Sequence, residues 1–262
     1  MPAQALTSSE VHVAAWVHGP PDHIHESRSV IRQIRTDLWE ARVDSPFPGL
    51  TTHAYLWTGA PDGPRGRTNV LFYSPAGNAD FEAIDQLGGV THQYLSHQDE
   101  AGPTLARIRE HFGARLHAPV AELPAIESHC AVDVPVGTRH VDDNGIEVIP
   151  TPGHTTGSTS YLVTSQDGTR LLFTGDTMFV GADGRWAAGF IPPISDAATL
   201  AQSLQLLGTV TPDVVISSAF PGESAVHVLG DRAWSECTAE AAAGLPADHL
   251  LPSEMDPRGQ RV

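Results

Sequence analysis

Two stretches near the middle of the chain decide the fold, TPGHTTGSTSYLV at 151–163 and LLFTGDTMF at 171–179. Each combines a β-rich run with a loop of Gly, Thr and Asp or Ser, the composition expected at the end of a strand. The turn signal Gln166-Asp167-Gly168 stands between them and predicts a hairpin. The two loops carry His154 and Asp176, and a rigid sheet can hold such side chains in fixed positions.

A third loop, LSHQDE at 95–100, also follows a β-like run, and it supplies His97, Asp99 and Glu100. Neutral imidazoles and a carboxylate can hold a divalent ion that keeps a position open for water or substrate. His97, His154 and Asp176 form such a set if the fold brings three strand ends together. Asp99 and Glu100 are further candidate ligands, and Asp99 is the candidate catalytic carboxylate that orients a water or accepts its proton. Both acids also precede Pro103, where they would favour a helix N-terminus without any ligand.

The rest of the chain alternates β-rich runs with short amphipathic segments. Strands are predicted at 36–43, 52–57, 69–73, 90–95 and 213–216, and the turn Asp143-Asn144-Gly145 predicts another hairpin. Helices are predicted at 80–87, from Pro103 to Gly113, after Ser195 as N-cap with Leu200, Leu204 and Leu207 buried, and at 231–243. A β-rich region followed by helices therefore occurs twice along the chain. The sequence itself shows no internal repeat and no linker between independent domains.

The paired motifs at 151–163 and 171–179 resemble the fourth-histidine loop, hairpin and bridging-aspartate loop of metallo-β-lactamase-fold proteins. The resemblance extends from about residue 31 to about residue 243. It implies an α+β fold, a four-layer αββα sandwich with the metal site in a cleft at one edge between the sheets. On this basis residues 31–262 form a single domain with a C-terminal helix, and residues 1–30 are an N-terminal extension.

The chain departs from the family's HxHxDH signature, because only His97-Gln98-Asp99-Glu100 stands in its place. Two registers are open. If Leu95-Ser96-His97 matches the family's strand-ending tripeptide, His97 is the first ligand and Asp99 replaces the second histidine; we favour this register. If Asp99 is the signature's aspartate, His97 is the second histidine, Leu95 replaces the first and Glu100 replaces the third.

Two other family motifs are also altered. The last family histidine is missing from the stretch 217–223, and Glu223 within it or the nearby His227 would be only weak substitutes. An early Asp-Thr-Gly turn is replaced by Ser74-Pro75-Ala76-Gly77. We therefore expect a mononuclear or degenerate site rather than a full binuclear zinc site.

The resemblance implies a metal-dependent hydrolase that cleaves an ester, thioester or lactone through a metal-bound hydroxide. The expected cofactor is one divalent ion, with Zn preferred over Fe or Mn. Two histidines and one carboxylate are also the donor set of mononuclear non-haem iron oxygenases, and within the resembled superfamily the persulfide dioxygenases use iron at the equivalents of His97, His154 and Asp176. A third alternative is a metal-free, non-catalytic binding protein on the same fold.

The composition of the chain restricts the classes of partner that it is expected to bind. The chain has 31 acidic and 15 basic residues, a net charge of -16, and every basic residue is Arg. An acidic surface argues against nucleic acid as a partner. The two cysteines form no disulfide framework, and neither a signal peptide nor a run of about 18 apolar residues is present, which predicts a cytoplasmic protein with no membrane partner. The resemblance to metal-dependent hydrolases implies a small-molecule substrate. A homodimer is left open.

Several other features have simpler interpretations. The pair His23-Ile24-His25 has metal-like spacing but lies in a Pro-rich arm without a second ligand group. Arg65 and Arg67 are interpreted as solvated, and Cys130 has no acid partner that would make it a nucleophile.

Overall fold

The computed structural model describes residues 31–61, 68–221 and 224–246. The predicted 1–30 extension, the His23-Ile24-His25 pair, Arg65, Arg67 and Glu223 lie outside these residues. The first half contains the strands β1 (Arg32–Arg35), β2 (Leu38–Glu40), β3 (Asp44–Phe47), β4 (Leu50–Thr52), β5 (Tyr55–Trp57), β6 (Val70–Phe72), β7 (His92–Tyr94), β8 (Arg115–Pro119) and β9 (Val134–Val136). Its helices are α1 (Phe81–Gln86), α2 (Pro103–Phe112) and α3 (Leu123–Ile126).

The second half contains the strands β10 (His140–Val141), β11 (Glu147–Pro150), β12 (Thr159–Thr164), β13 (Arg170–Gly175), β14 (Met178–Val180), β15 (Trp186–Ala188), β16 (Val214–Ser217), β17 (Ala219–Phe220) and β18 (Val226–Val228). Its helices are α4 (Ala197–Leu207) and α5 (Trp234–Ala243). None of the helices in the described part of the chain is long and apolar enough to cross a bilayer.

Two sheets form the middle of the molecule. The first has the strand order β1-β2-β5-β6-β7-β8-β9 and the second β10-β11-β12-β13-β16-β18. Successive residues of β12 and β13 point to opposite sides: Tyr161 and Phe173 pack in the cluster between the sheets, whereas Leu162 and Leu172 pack in the cluster that includes α4 and α5. This period of two is expected for a sheet that is covered on both faces.

Helices cover the outer face of each sheet. Leu200 and Leu204 of α4 and Trp234 of α5 pack on the second sheet. On the first sheet, Leu105 of α2 and Ile126 of α3 pack in one cluster with residues of β8. The layers are therefore helix, sheet, sheet, helix, which confirms the predicted α+β, αββα sandwich.

Most predicted elements form close to their predicted limits. The hairpins at 143–145 and 166–168 are present as the antiparallel pairs β10–β11 and β12–β13. Gly113 ends α2 in the left-handed region with φ 69°, as its position after the helix predicts.

One predicted strand is shorter than expected and another is divided. The run 36–43 contributes only β2, because Asp37 lies in a turn where its buried carboxylate accepts hydrogen bonds from Ser165 Oγ and the Gln166 amide. The run 52–57 divides into β4 and β5, which belong to different sheets. The chain turns away at His53, whose amide donates to the Ser218 carbonyl at 2.8 Å.

The predicted N-cap of α4 is wrong. Asp196 is the N-cap, and its carboxylate accepts from the Thr199 amide at 2.7 Å. The Ser195 hydroxyl instead donates to the carbonyl of His154 at 2.7 Å and accepts from the Ile191 amide at 2.9 Å. The helix predicted from 231 begins at Trp234.

Candidate metal centre

Three strand ends from the two sheets meet at one edge of the sandwich. His97 follows β7, His154 lies in the turn between β11 and β12, and Asp176 follows β13. The sheets are tied together here, because Tyr161 Oη donates to the Leu95 carbonyl at 2.6 Å. The structure therefore brings together the three side chains that the sequence supplied separately.

The imidazole nitrogens converge on two carboxylates. Nε2 of His97 lies 3.6 Å from Oδ2 of Asp176 and 3.9 Å from Oδ2 of Asp99. Nε2 of His154 lies 3.8 Å and 3.9 Å from the same two oxygens. The ligand atoms of His97, Asp99 and His154 all lie within 4.8 Å of one another. Asp99 is exposed to solvent, whereas both histidines are buried.

Both Nε2 atoms are buried and have no hydrogen-bond partner among the described residues. A buried polar atom without a partner is costly, and such atoms in native proteins call for an explanation such as an ion. Imidazole nitrogens and carboxylate oxygens are the donors that a divalent transition metal accepts, and His97, Asp99 and His154 offer three of them close together, with Oδ2 of Asp176 within 3.8 Å of both imidazoles. The residues present therefore fit a single divalent ion.

Hydrogen bonds on the opposite side of each ring set the required tautomer. The Nδ1 of His154 donates to the carbonyl of Gly189 at 2.7 Å. Nδ1 of His97 lies 2.8 Å from Oγ of Ser96, whose hydroxyl donates to Oε1 of Glu100 at 2.5 Å. Since the Ser96 proton is directed to Glu100, Ser96 accepts from His97. In its neutral form each ring thus carries the proton on Nδ1 and presents the Nε2 lone pair to the centre.

Glu100 is not brought to the Nε2 side of His97. Its carboxylate accepts from the Ser96 amide at 2.8 Å as well as from the Ser96 hydroxyl, and it lies 3.4 Å from Nδ1 of His97. In this geometry Glu100 orients His97 rather than pointing into the ligand set.

The Asp176 carboxylate is held in place through Oδ1, the oxygen that does not face the histidines. Oδ1 accepts from the Ser218 hydroxyl at 2.5 Å and from the Ala219 amide at 3.0 Å, leaving Oδ2 to face the histidines. Ser218 lies in the stretch where the last family histidine was expected, and the structure shows it bonded to the aspartate. Of the two weak substitutes, Glu223 lies outside the described residues. The His227 ring packs against Trp186 and Phe220 at centroid distances of 5.7 and 5.2 Å.

The packing between the sheets requires glycine immediately before Asp176. Gly175 has φ +56°, and a Cβ at this position would lie 2.1 Å from Oγ of Ser96. The loop that carries Asp176 therefore presses directly on the loop that carries His97. Any side chain here would displace the serine that orients His97.

The carboxylates dominate the electrostatics of the centre. Burial lowers the pKa of His97, but Asp176, Glu100 and Asp99 outweigh it and raise that pKa to about 10. Burial and the adjacent charge of His97 lower the pKa of His154. Burial raises the pKa of Asp176, yet His97, His154 and Ser218 outweigh it and lower that pKa. A cation at the centre would compete with the His97 proton for the Nε2 lone pair.

Glu122 accepts hydrogen bonds from the loops that carry the histidines, Ser218 donates one to Asp176, and both residues were missed from the sequence. Glu122 lies in the stretch VAELP, which contains no metal-binding pattern, and Ser218 was noted only as the place of a missing histidine. Their partners are 24 to 42 residues away in sequence, so no local signal marks them.

Cys130 is buried, and its Sγ lies 3.2 Å from Nε of Arg109.

The fold and this arrangement of side chains are those of the metallo-β-lactamase superfamily, whose family model matches residues 82–219, and the chain belongs to it. Among curated proteins it is 32% identical to a "Probable metallo-hydrolase" of Methanocaldococcus jannaschii over 46% of this chain and 48% of that protein. It is 30% identical to a hydroxyacylglutathione hydrolase of Mesorhizobium japonicum over 47% of this chain and 48% of that protein. The chain thus spans about half the length of the curated relatives that it matches.

Solved structures agree on the fold. A metallo-beta-lactamase from Pontibacter korlensis superimposes with a TM-score of 0.60 at 14% identity, covering 82% of this chain and 97% of that one. A metallo beta lactamase from Hirschia baltica gives a TM-score of 0.62 at 13% identity, covering 83% and 97%. At these identities the likeness concerns the fold alone.

Proposed function

We propose that this protein is a metal-dependent hydrolase with a mononuclear site, acting on a small ester, thioester or lactone. The observation that carries the proposal is the pair of buried, unpartnered Nε2 atoms of His97 and His154 facing the Oδ2 atoms of Asp176 and Asp99. Membership of the metallo-β-lactamase superfamily supports it.

In this proposal His97, His154 and Asp176 hold the ion, and zinc is the preferred metal because two imidazoles and a carboxylate are common zinc ligands. Glu100 acts through Ser96 on His97 and is not a ligand. When bound, the metal would supply a water of lowered pKa and polarise the substrate carbonyl.

Asp99 is placed for proton transfer. It is the exposed member of the group, so its carboxylate reaches both the ligand set and solvent. It would accept the proton of the attacking water, becoming neutral, and then return that proton to the leaving group, which restores its charge. Asp176 is unsuited to this task, because Ser218 and Ala219 occupy its second oxygen.

A thioester is the first substrate to test, because the name of one relative denotes hydrolysis of an acyl-glutathione bond. Purified protein should contain about one equivalent of zinc, and release of free thiol from acyl thioesters should be followed with a chromogenic thiol reagent. Asp99→Asn should retain the metal and lose turnover by about 10²-fold or more. Wild-type turnover in Asp99→Asn would contradict the assigned role, and a wild-type protein that binds no divalent ion would overturn the proposal.

A second candidate, a mononuclear iron oxygenase acting on a persulfide, is supported by the donor set His97, His154 and Asp176. It predicts that protein purified without oxygen contains iron and consumes oxygen when a persulfide is added. Iron-loaded protein that shows no oxygen uptake would exclude it. The cytoplasmic location and the homodimer stay predictions from the sequence.

A further inference from the structure

Glu122 connects the two loops that carry the histidines of the candidate metal centre. It ends the short 3₁₀ turn after β8, and its residue is only 2% exposed. Its Oε2 accepts the amide of Gln98 at 2.6 Å, and its Oε1 accepts the amide of Gly157 at 2.8 Å. Gln98 stands between His97 and Asp99, and Gly157 belongs to the turn that carries His154.

We propose that Glu122 is a positioning residue that sets the spacing between these loops and thereby the affinity of the centre for its metal. The inference rests on the proposed function in taking His97, Asp99 and His154 as residues of the metal centre. Glu122 itself touches neither the ligand atoms nor any substrate position, so its role is exerted through the two backbone amides.

The chemistry of the two bonds requires a carboxylate. Both partners are N–H donors, so both side-chain oxygens must accept, and a carboxylate is the side chain with two acceptors and no donor. A glutamine would turn its NH₂ group toward one of the amides and lose that hydrogen bond. Among the described residues Glu122 has no ion-pair partner within 4.0 Å, so these amides are the groups seen to offset the cost of burying its charge.

The steric fit points to the same contact. A Cβ on Gly157 would lie 2.7 Å from Cγ and 2.9 Å from Cδ of Glu122, and 2.9 Å from Cβ of Pro119. The backbone of Gly157 therefore rests directly against the carboxylate side chain. Its φ lies outside the left-handed region, so an alanine would be opposed by this overlap and not by backbone strain.

Losing either bond should let the loops separate at the histidines. Residues that orient metal ligands typically contribute about 10–100-fold in metal affinity. Glu122→Gln should weaken zinc binding by a factor in that range and shift the d–d absorption bands of the cobalt-substituted protein. Glu122→Asp keeps two acceptors but is shorter by one methylene, so it should recover only part of the lost affinity.

The test measures zinc affinity by competition with a chromogenic chelator, with thermal unfolding of the metal-free proteins measured in parallel. Glu127→Gln is the matched control, since it removes the same charge from an exposed residue five positions away and should bind zinc like wild type. Gly157→Ala perturbs the contact from the other side and should weaken zinc binding in the same direction; it decides the question if Glu122→Gln does not fold.

The outcomes separate the two proposals. If the wild-type protein binds no divalent ion, the metal centre itself is wrong. If wild type binds zinc while folded Glu122→Gln or Gly157→Ala binds it equally well with an unchanged cobalt spectrum, the positioning role is wrong and the metal centre stands.

Discussion

The hydroxyl of Ser218 donates to Oδ1 of Asp176 at 2.5 Å. Asp176 follows β13 and Ser218 follows β16, and these strands are parallel neighbours in the second sheet. The bond therefore uses the alignment of two strand ends to fix the rotation of a carboxylate, so that Oδ2 faces the imidazoles of His97 and His154.

Removing that hydroxyl should weaken metal binding. In Ser218→Ala the carboxylate keeps only the Ala219 amide on Oδ1, so Asp176 becomes less well oriented and zinc affinity should fall by about tenfold. Isothermal titration with zinc measures the change. Ser217→Ala is the matched control, because the buried Ser217 hydroxyl has no hydrogen-bond partner among the described residues. Equal zinc affinity in the two variants would contradict the role of Ser218.

Removing a proposed ligand should abolish stoichiometric metal. His154→Ala deletes one of two imidazoles, and a site left with one imidazole and carboxylates should lose zinc during purification. Elemental analysis of the purified protein measures zinc per chain. His140→Ala, which deletes an exposed imidazole outside the centre, should retain full metal content. Zinc at wild-type stoichiometry in His154→Ala would show that the ion binds elsewhere.

The close packing at Gly175 should make alanine costly there. Gly175→Ala should destabilise the fold by more than the roughly 1–2 kcal/mol of left-handed backbone strain, because its Cβ would overlap Ser96. Gly113→Ala isolates the strain, since Gly113 has φ +69° and nothing within 4 Å of an added Cβ. Chemical denaturation gives the free energies of unfolding. Equal losses in the two variants would show that the Ser96 contact does not matter.

Acid stability should depend on the buried carboxylate of Glu40. Burial raises its pKa, but hydrogen bonds and charges from His53 and Arg32 outweigh burial and hold that pKa below its ordinary value of 4.5. As the pH falls, Glu40 therefore binds a proton at a higher pH in the unfolded chain than in the folded chain. The stabilisation from Glu40 is present above pH 4.5 and is lost as the pH falls through the lower folded pKa.

Glu40→Gln should accordingly flatten the acid limb of the stability curve and cost about 1–3 kcal/mol at neutral pH, because His53 and Arg32 lose a charged partner. Denaturant unfolding between pH 3 and pH 7 provides the measurement. Glu110→Gln, at an exposed position on α2, should leave the curve unchanged. If the stability of Glu40→Gln falls with acid as steeply as that of wild type, Glu40 is not the source of the acid dependence.

Sequence patterns predicted an element correctly wherever the interactions that form it join residues close together in the chain. The hairpin at 166–168 and the left-handed end of α2 at Gly113 follow from turn and cap chemistry within a few residues. Ser195 shows the limit of such reasoning. Ser195 and Asp196 are both good caps by composition, and a bond from Ser195 to the distant His154 carbonyl leaves the cap to Asp196.

By itself, the sequence determined the three loops that carry His97, His154 and Asp176, because motifs and strand periodicity are encoded along the chain, and the resemblance of those motifs to a known family implied the sandwich. Tertiary structure alone decided what surrounds them: the two bonds of Glu122, the hydroxyl of Ser218 on Asp176, and the placement of Glu100 behind His97. These contacts depend on how the two sheets stack and which strand ends become neighbours. Proximity in the folded molecule decides which residues form these contacts, and no local sequence pattern records that proximity.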